Sequence, residues 1–232
     1  MKRTQALPRA LALLAGMFML TGALAAEPAE EGVDYKRLSK PVAVETGKQI
    51  EVAEFFWYGC PHCSQLEPGI KAWAKKLPAD VKFRPVPAVL NPDWLPAAKT
   101  YYTLAEMGAL DRLHGKVFDA YHKEKLNLDD EAQLMAWVKK QKLDAARFKT
   151  IYNGFYTYNQ SMKGQQQVVS AFNGAGMNRP GVPAVLVDGK YLTNISMTFT
   201  EERLFEVLDQ LIQRARSERG GKSAKQKPVA PK

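Results

Sequence analysis

A long run of helical pattern separates two groups of strand-like segments, and this order constrains the fold more than any other feature of the chain. Residues 91–172 repeat apolar side chains every three or four positions, which is typical of amphipathic helices. Because each group of strands needs the other to complete a sheet, the order predicts an α/β fold with an inserted all-helical domain. The strands are predicted at 42–44, 50–57, 81–86, 184–187 and 191–193.

Local patterns define the other elements. The segment at 50–57 is apolar on both faces, which favours a central strand. Asp188-Gly189 indicates a two-residue hairpin turn. Thr200 is expected to cap a final helix over 201–217, and Asp129 or Asp130 to cap one in the insert. Other helices are predicted after residue 60 and over 97–107, 112–122, 131–140, 144–152 and 160–172. Four aromatic residues at helical spacing are expected in the core: Trp73, Trp137, Phe148 and Phe205.

The two ends of the chain differ in composition from the body. A basic start, an apolar run at 11–20 and the exit Ala23-Leu24-Ala25 predict a secretory signal peptide over 1–25, with cleavage near Ala25. The run is shorter than a membrane span requires. Three charges of the net +9 belong to this segment and four to residues 220–232, so the body carries about +2. This local basicity argues against a nucleic-acid partner and predicts a disordered basic tail at 220–232.

The chain contains two cysteines, and both belong to the motif Cys60-Pro61-His62-Cys63. The motif follows the apolar strand and opens a helical pattern, so Cys60 is expected at the N-cap and Pro61 in the first turn. Residues three apart on a helix lie close enough for a disulfide. Since a disulfide that closes so short a loop stabilises a fold little, the pair indicates redox chemistry.

The two sulfur atoms of the motif are not expected to be equivalent. At the helix N-terminus, unpaired N–H groups and the helix dipole stabilise a thiolate, so the pKa of Cys60 should fall and its reactivity rise. Cys63 lies one turn further along and should be shielded. His62 can stabilise charge on Cys60. Since stabilising the reduced thiolate makes the disulfide a stronger oxidant, the motif predicts a protein that donates its disulfide.

A zinc site is the structural alternative for the two cysteines. A Cys/His zinc site needs four ligands with paired spacing. Apart from His62, the chain offers only His114 and His122, which are expected on the surface or on packing faces of the helical block. We therefore expect no metal site.

Three segments together resemble the DsbA family, the periplasmic thiol:disulfide oxidoreductases of Gram-negative bacteria. They are Glu54-Phe55-Phe56 leading into the cysteine motif, Gly181-Val182-Pro183-Ala184, and the hairpin over 187–191. The resemblance covers nearly all of the chain after residue 25. It implies a thioredoxin-like domain formed by 26–90 and 171–219, with the inserted helical domain at 91–170.

The resemblance also implies an activity and partners. The protein would oxidise cysteines of newly exported, unfolded proteins in the periplasm, using no cofactor besides its own Cys60–Cys63 disulfide. It would be reoxidised by a DsbB-like membrane partner that passes electrons to quinone. The chain lacks room before its first strand for a dimerisation domain, so we expect a monomer.

Several site residues follow from the resemblance. Cys60 would form the mixed disulfide with the substrate and Cys63 would resolve it. Pro183 matches the family's cis-proline that faces the redox pair. Gly181 and Val182 precede it, and the Val182 backbone would bind an extended substrate segment.

Glu54 matches the family's buried acid beneath the active site, where a raised pKa suits proton transfer with Cys63. The chain departs from the family pattern here, because Pro85 stands where a lysine partner is expected on the third strand. Lys82 or Arg84 is expected to substitute for that lysine.

Tyr58 and Trp57 precede the motif and are expected at an apolar substrate surface, with packing inside the sheet as an equal alternative for Trp57.

Three other functions compete with the oxidase. An isomerase or reductase would use the same chemistry. A periplasmic Cu(I) carrier would use Cys60, Cys63 and a histidine, since paired thiols suit soft Cu(I). A peptide-binding chaperone would need neither sulfur. Measurement of the reduction potential, of Cu(I) binding and of a Cys60→Ala variant would separate these alternatives.

Overall fold

A computed structural model describes the backbone of residues 27–225 and the side chains of residues 27–220. The predicted signal peptide and residues 226–232 of the predicted tail lie outside these ranges. No helix among the described residues is long and apolar enough to cross a membrane.

Five strands form one mixed sheet. They are β1 (Lys36–Arg37), β2 (Ile50–Phe56), β3 (Val81–Pro87), β4 (Ala184–Val187) and β5 (Tyr191–Asn194). Their order across the sheet is β1-β5-β4-β2-β3. β2 pairs in parallel with β3 and antiparallel with β4, so strands from both ends of the chain meet at its centre. All seven residues of β2 are buried, as expected for a strand covered on both faces.

Eight helices surround the sheet within the described residues. They are α1 (Pro61–Ala74), α2 (Leu95–Glu106), α3 (Leu110–His122), α4 (Glu131–Lys140), α5 (Ala145–Tyr152), α6 (Phe155–Gly174), α7 (Ile195–Thr198) and α8 (Glu201–Lys225), with a 3-10 turn at Pro92–Trp94 before α2. The predicted α/β thioredoxin fold with a block of helices between the sheet halves is confirmed.

Three apolar cores hold these layers together. On one face of the sheet, α1 and α8 bury Ile70 and Leu208 against Val52. On the other face, the second half of α6 buries Phe172 against Phe55. The third core lies where β2 ends and contains side chains of α2 to α5 together with both cysteines. The helical block therefore packs directly against the cysteine motif.

Three predicted elements differ from the structure. Residues 42–44 form no strand, and Lys36–Arg37 pairs with β5 instead. The alternation of Val42 and Val44 reports half-buried side chains, whereas a strand also requires a ladder of backbone hydrogen bonds. Helix α8 continues to Lys225 rather than ending at Ser217, so residues 220–225 of the predicted disordered tail are helical. Helix α6 begins five residues earlier than predicted.

Other local predictions are confirmed. Helix α4 and strand β4 have the predicted bounds. Asp130 caps α4 through the Gln133 N–H, and Thr200 accepts a hydrogen bond from the Arg203 N–H at the start of α8. Trp137 and Phe148 are buried, whereas Trp73 and Phe205 are half-buried and stack on each other.

Candidate active site

The cysteine motif lies at the junction of β2 and α1. The chain turns after Phe56, and the Cys60 N–H donates to the Trp57 carbonyl at 3.0 Å. Cys60 is the N-cap of α1, with extended backbone, and Pro61 is the first residue of the helix. The Cys63 N–H donates to Cys60 Sγ at 3.3 Å. The predicted placement of both residues is confirmed.

Gly59 makes this junction possible because it leaves room for an aromatic ring. A Cβ atom at Gly59 would lie 2.3 Å from the Trp57 indole. The same indole stacks on Trp94, with ring centroids 4.2 Å apart and planes within 3°. Trp57 therefore fills the space between the motif and the turn before α2, rather than packing inside the sheet.

The environment of Cys60 favours its thiolate. A hydrogen bond from the Cys63 thiol is the main cause, and backbone N–H groups of Cys63 and His62 and the charge of His62 add to it. Partial burial opposes them, and the net effect lowers the pKa of Cys60 to about 6. The His62 side chain is itself exposed, with Nδ1 3.3 Å from Gln65 Oε1.

Cys63 has the opposite character. Its side chain is 0% exposed, whereas 7% of Cys60 is exposed. Burial raises the pKa of the Cys63 thiol, and the hydrogen bond with Cys60 and the charge of Cys60 raise it further. The Cys60 sulfur is thus the more accessible of the two and favours the thiolate, and Cys63 is a shielded thiol.

Strand pairing brings a distant loop against Cys60. Ala184 at the start of β4 pairs with Phe55 of β2, which places the preceding residues beside the motif. The Val182–Pro183 peptide bond is cis, and Cys60 Sγ lies 3.5 Å from the Val182 carbonyl oxygen, to which the thiol form donates. Gly181 is exposed with open space around it.

Glu54 is buried in β2 next to the motif, and it forms no ion pair with any side chain of residues 27–220. Its side chain is 2% exposed, and Oε2 has no hydrogen-bond partner. The predicted substitution by Arg84 is wrong, because that guanidinium pairs with Glu51 at 3.1 Å. Lys82 is exposed and forms no ion pair with Glu54 within the described part of the chain. Arg84 pairs with Glu51 and not with Glu54 because side chains alternate along a strand, which places Glu51 and Glu54 on opposite faces of β2.

Tyr58 does not lie at a substrate surface, and that prediction is wrong. Its side chain is completely buried, with the hydroxyl 2.7 Å from His114 Nδ1. A sequence cannot distinguish an exposed from a buried tyrosine in a loop. Here helix α3 packs over the motif and buries the Tyr58 side chain.

Three further residues near the site are not indicated by the sequence. Glu67 lies one helical turn after Cys63, a spacing that could have indicated a shared face. His114 lies on α3, with Nε2 3.4 Å from Glu67 Oε2. Phe199 follows β5 at the sheet edge where β2 ends and is 83% exposed, with φ +63°.

The described residues contain no group of three or more His, Cys, Asp or Glu side chains arranged to hold a metal ion. His122 Nε2 hydrogen-bonds the Tyr58 carbonyl at 2.8 Å, and His114 is buried among aromatic rings. Neither histidine lies in an exposed position next to the cysteine pair.

The fold and the paired thiols at the start of α1 define the class of this protein, a thioredoxin-fold thiol:disulfide oxidoreductase. The family model for the DSBA-like thioredoxin domain matches residues 51–179. The chain therefore belongs to the DsbA-like family.

Individual relatives agree with this assignment. The chain is 36% identical over 206 residues to the thiol:disulfide interchange protein DsbA of Pseudomonas aeruginosa, covering 89% of this chain and 95% of the relative. The DsbA of Azotobacter vinelandii is 36% identical over 211 residues, with 89% and 96% covered. A crystal structure of Pseudomonas aeruginosa DsbA superimposes with a TM-score of 0.75 at 35% identity, covering 82% of this chain and 95% of that one.

Proposed function

We propose that this protein is a dithiol oxidase that donates its Cys60–Cys63 disulfide to cysteines of newly exported proteins. The observation that carries the proposal is the asymmetry of the pair. The Cys60 thiolate is stabilised, with a pKa of about 6, while Cys63 is a shielded thiol. A fold that stabilises the reduced form in this way drives the disulfide towards reduction and oxidises its substrate.

The reaction proceeds in two exchanges. A substrate thiolate attacks Cys60 Sγ, the Cys60–Cys63 bond breaks, and Cys63 takes up a proton. The second substrate thiolate attacks the substrate sulfur of this mixed disulfide and expels the Cys60 thiolate. The substrate has then lost two electrons and two protons. The protein has gained the electrons and one proton, and the other proton goes to solvent.

The loop beside Cys60 supports binding of an extended substrate segment. Val182 is half-buried next to the thiol, and its backbone lies beside the reacting sulfur. Gly181 adds no side chain that would obstruct an approaching peptide. Phe199 offers an exposed aromatic contact at the same edge of the sheet.

The cellular setting is part of the proposal. Residues 1–25 direct the protein to the periplasm, where disulfides persist. There a DsbB-like membrane quinone reductase returns the pair to the disulfide state, and the protein acts as a monomer. The helical domain over 91–170 shapes the site by packing against the cysteine motif.

The redox equilibrium of the Cys60–Cys63 pair with glutathione tests the oxidase assignment. We expect the pair to be reduced by low concentrations of glutathione, and the oxidised protein to form disulfides in a reduced, unfolded substrate. Cys60→Ala and Cys63→Ala should each abolish the reaction, because neither variant can form the disulfide that accepts the substrate's electrons. A potential as reducing as that of cytosolic thioredoxins would contradict the assignment. Stoichiometric Cu(I) binding without thiol oxidation would favour the copper carrier instead.

A further inference from the structure

His122, the last residue of α3, contacts the active-site loop over residues 57–60. Its Nε2 atom lies 2.8 Å from the carbonyl oxygen of Tyr58, the residue two positions before Cys60. A carbonyl oxygen only accepts hydrogen bonds, so Nε2 carries a proton and donates it in both the neutral and the charged ring. The inserted helical domain is thus hydrogen-bonded to the backbone of the active-site loop.

The Tyr58 carbonyl group depends on this contact. Tyr58 is 0% exposed, so water does not reach its oxygen. Among the described residues no backbone N–H donates to this oxygen, and the Cys60 N–H closes the turn by donating to the Trp57 carbonyl instead. A buried carbonyl group without a partner is unfavourable. His122 therefore supplies a hydrogen bond that the conformation of this loop requires.

Aromatic packing fixes the direction in which the His122 ring donates. Phe118 lies one helical turn earlier, and the two rings stack with centroids 6.4 Å apart and planes inclined by 18°. Phe118 also packs edge to face against the Tyr58 ring, with centroids 4.9 Å apart. The Tyr121 ring flanks the imidazole at 5.2 Å. A ring held in this way keeps its donor aimed at the loop.

The other side-chain contacts of the loop do not hold its backbone. The Trp57 indole stacks on Trp94, and the Tyr58 hydroxyl is 2.7 Å from His114 Nδ1. Both contacts involve the side chains of the loop. Within the part of the chain that the structure describes, His122 is the side chain that hydrogen-bonds the loop backbone. The path of the backbone into the cysteine motif therefore depends on this residue.

The position of this backbone matters most when the cysteine pair is reduced. In the oxidised protein, the Cys60–Cys63 bond itself holds Cys60 at the start of α1. Both cysteines are free in this structure, and Cys60 Sγ lies 3.3 Å from the Cys63 N–H without a covalent link. Hydrogen bonds that hold the loop should therefore stabilise the reduced form more than the oxidised form. Any such difference between the two forms shifts the redox equilibrium.

We propose that His122 is a positioning residue of the redox reaction, which holds the Tyr58 carbonyl group and thereby keeps the reduced Cys60 sulfur at the N-terminus of α1. It acts through the loop and transfers neither a proton nor an electron. The inference rests on the thiol:disulfide exchange at Cys60 and Cys63 proposed above, but not on the direction of net electron flow.

The equilibrium of the Cys60–Cys63 pair with glutathione in two matched variants tests the proposal. His122→Phe keeps a ring that can stack on Phe118 but removes the donor. His122→Gln keeps an N–H donor at a similar reach but removes the ring. We expect His122→Phe to lower the equilibrium constant for reduction of the protein about threefold or more, within the range of one net hydrogen bond. His122→Gln should recover most of the wild-type value.

A second readout follows the Cys60 thiolate by its ultraviolet absorbance in the reduced protein. The midpoint of its titration should be higher in His122→Phe than in the wild type, and His122→Gln should again lie close to the wild type. A purely structural role of His122 would lower the unfolding free energy of both redox states equally. It would leave the equilibrium constant and the thiolate midpoint unchanged. That result in a folded His122→Phe protein would overturn the proposal.

The wild-type protein provides the test if His122→Phe does not fold. Imidazole NMR of the reduced protein identifies which ring nitrogen of His122 carries the proton in the neutral ring. The proposal requires a proton on Nε2 that exchanges slowly with water. A neutral ring protonated at Nδ1, or an Nε2 proton that exchanges rapidly, would overturn it. A wild-type pair that is as reducing as cytosolic thioredoxins would contradict only the oxidase assignment, because the comparison between the His122 variants would still stand.

Discussion

Glu54 carries an uncompensated cost of burial at the centre of the sheet. Burial raises the pKa of its carboxyl group well above 4.5, and the charges of Glu67 and Cys60 raise it further. An acid whose folded pKa is raised destabilises the fold once it is forced to ionise. The penalty is absent below the unfolded pKa and grows as pH rises towards the folded pKa.

Glu54→Gln should therefore stabilise the protein above neutral pH by about 1–3 kcal/mol, the cost of a buried unsatisfied group. The gain should disappear below about pH 4.5, where the Glu54 carboxyl group is protonated in both the folded and the unfolded protein. Urea unfolding of the oxidised protein at several pH values measures this difference. Glu106→Gln, at an exposed position on α2, is the control and should leave the curve unchanged. A pH-independent difference would contradict the raised pKa.

At Gly59, space rather than backbone conformation excludes a larger residue. Gly59→Ala would place a methyl group 2.3 Å from the Trp57 ring and force the stacked pair with Trp94 apart. We expect a loss of about 1–3 kcal/mol in unfolding free energy and altered tryptophan fluorescence. Gly181→Ala has open space around it and should change neither quantity. Wild-type stability in Gly59→Ala would show that the indole can move freely.

At the scale of elements, the end of α8 is held by a network that the sequence pattern does not reveal. Arg219 pairs with Asp188 in the hairpin turn, and Glu218 binds Arg37, Lys190 and the Tyr191 hydroxyl. Partial burial opposes ionisation of Glu218, but these three hydrogen bonds hold its pKa at about 2. The helix therefore continues past Ser217, because tertiary partners stabilise its polar last turns.

Two truncated chains test whether the network of Glu218 and Arg219 stabilises the fold. Removal of residues 218–232 should lower the unfolding free energy by about 1–2 kcal/mol, because hydrogen bonds to charged groups are lost. Removal of residues 221–232 keeps Glu218 and Arg219, so this longer chain should be more stable than the shorter one. Thermal unfolding above pH 5 measures the stability of both truncated chains. This pH is chosen because the contribution of Glu218 is present above its unfolded pKa of 4.5. Equal stability of the two truncations would contradict the role of the network.

At the scale of the whole molecule, the cysteine pair links folding stability to redox state. The fold lowers the pKa of the Cys60 thiol from 9.0 to about 6. A depressed folded pKa gives stability that is complete above the unfolded value and is lost as pH falls through the folded value. The oxidised protein lacks this thiol, so its stability contains no pH-dependent contribution from ionisation of Cys60.

The reduced protein should therefore gain stability relative to the oxidised protein as pH rises from about 6 to 9. Below about pH 6 the difference should become constant. Urea unfolding of both redox states across this range measures it, and the subtraction cancels groups that titrate alike in both. Cys60→Ala, which has no such thiol, should show no rise relative to the oxidised wild type. Parallel curves for the two redox states of the wild type would contradict the lowered pKa.

Much of the fold was predictable because it depends on local signals. The periodicity at 131–140 and the cap at Asp130 place α4 correctly, and Asp188-Gly189 places the hairpin. The predicted strand at 42–44 is absent because alternation indicates burial of side chains and not pairing of the backbone. Lys36–Arg37, which pairs with β5 instead, carries no apolar alternation that could have indicated a strand.

The sequence by itself determined the chemistry at the start of α1. Cys60, Pro61 and Cys63 are close in the chain, so helix geometry alone defines their relative positions and places Cys60 at the helix N-terminus. Only the tertiary structure decided what surrounds them. Glu54, Glu67 and His114 come from three separate elements, and long-range packing of α3 over β2 and α1 joins them. Which charge partners a buried group has depends on such packing, and chain-local patterns carry no information about it.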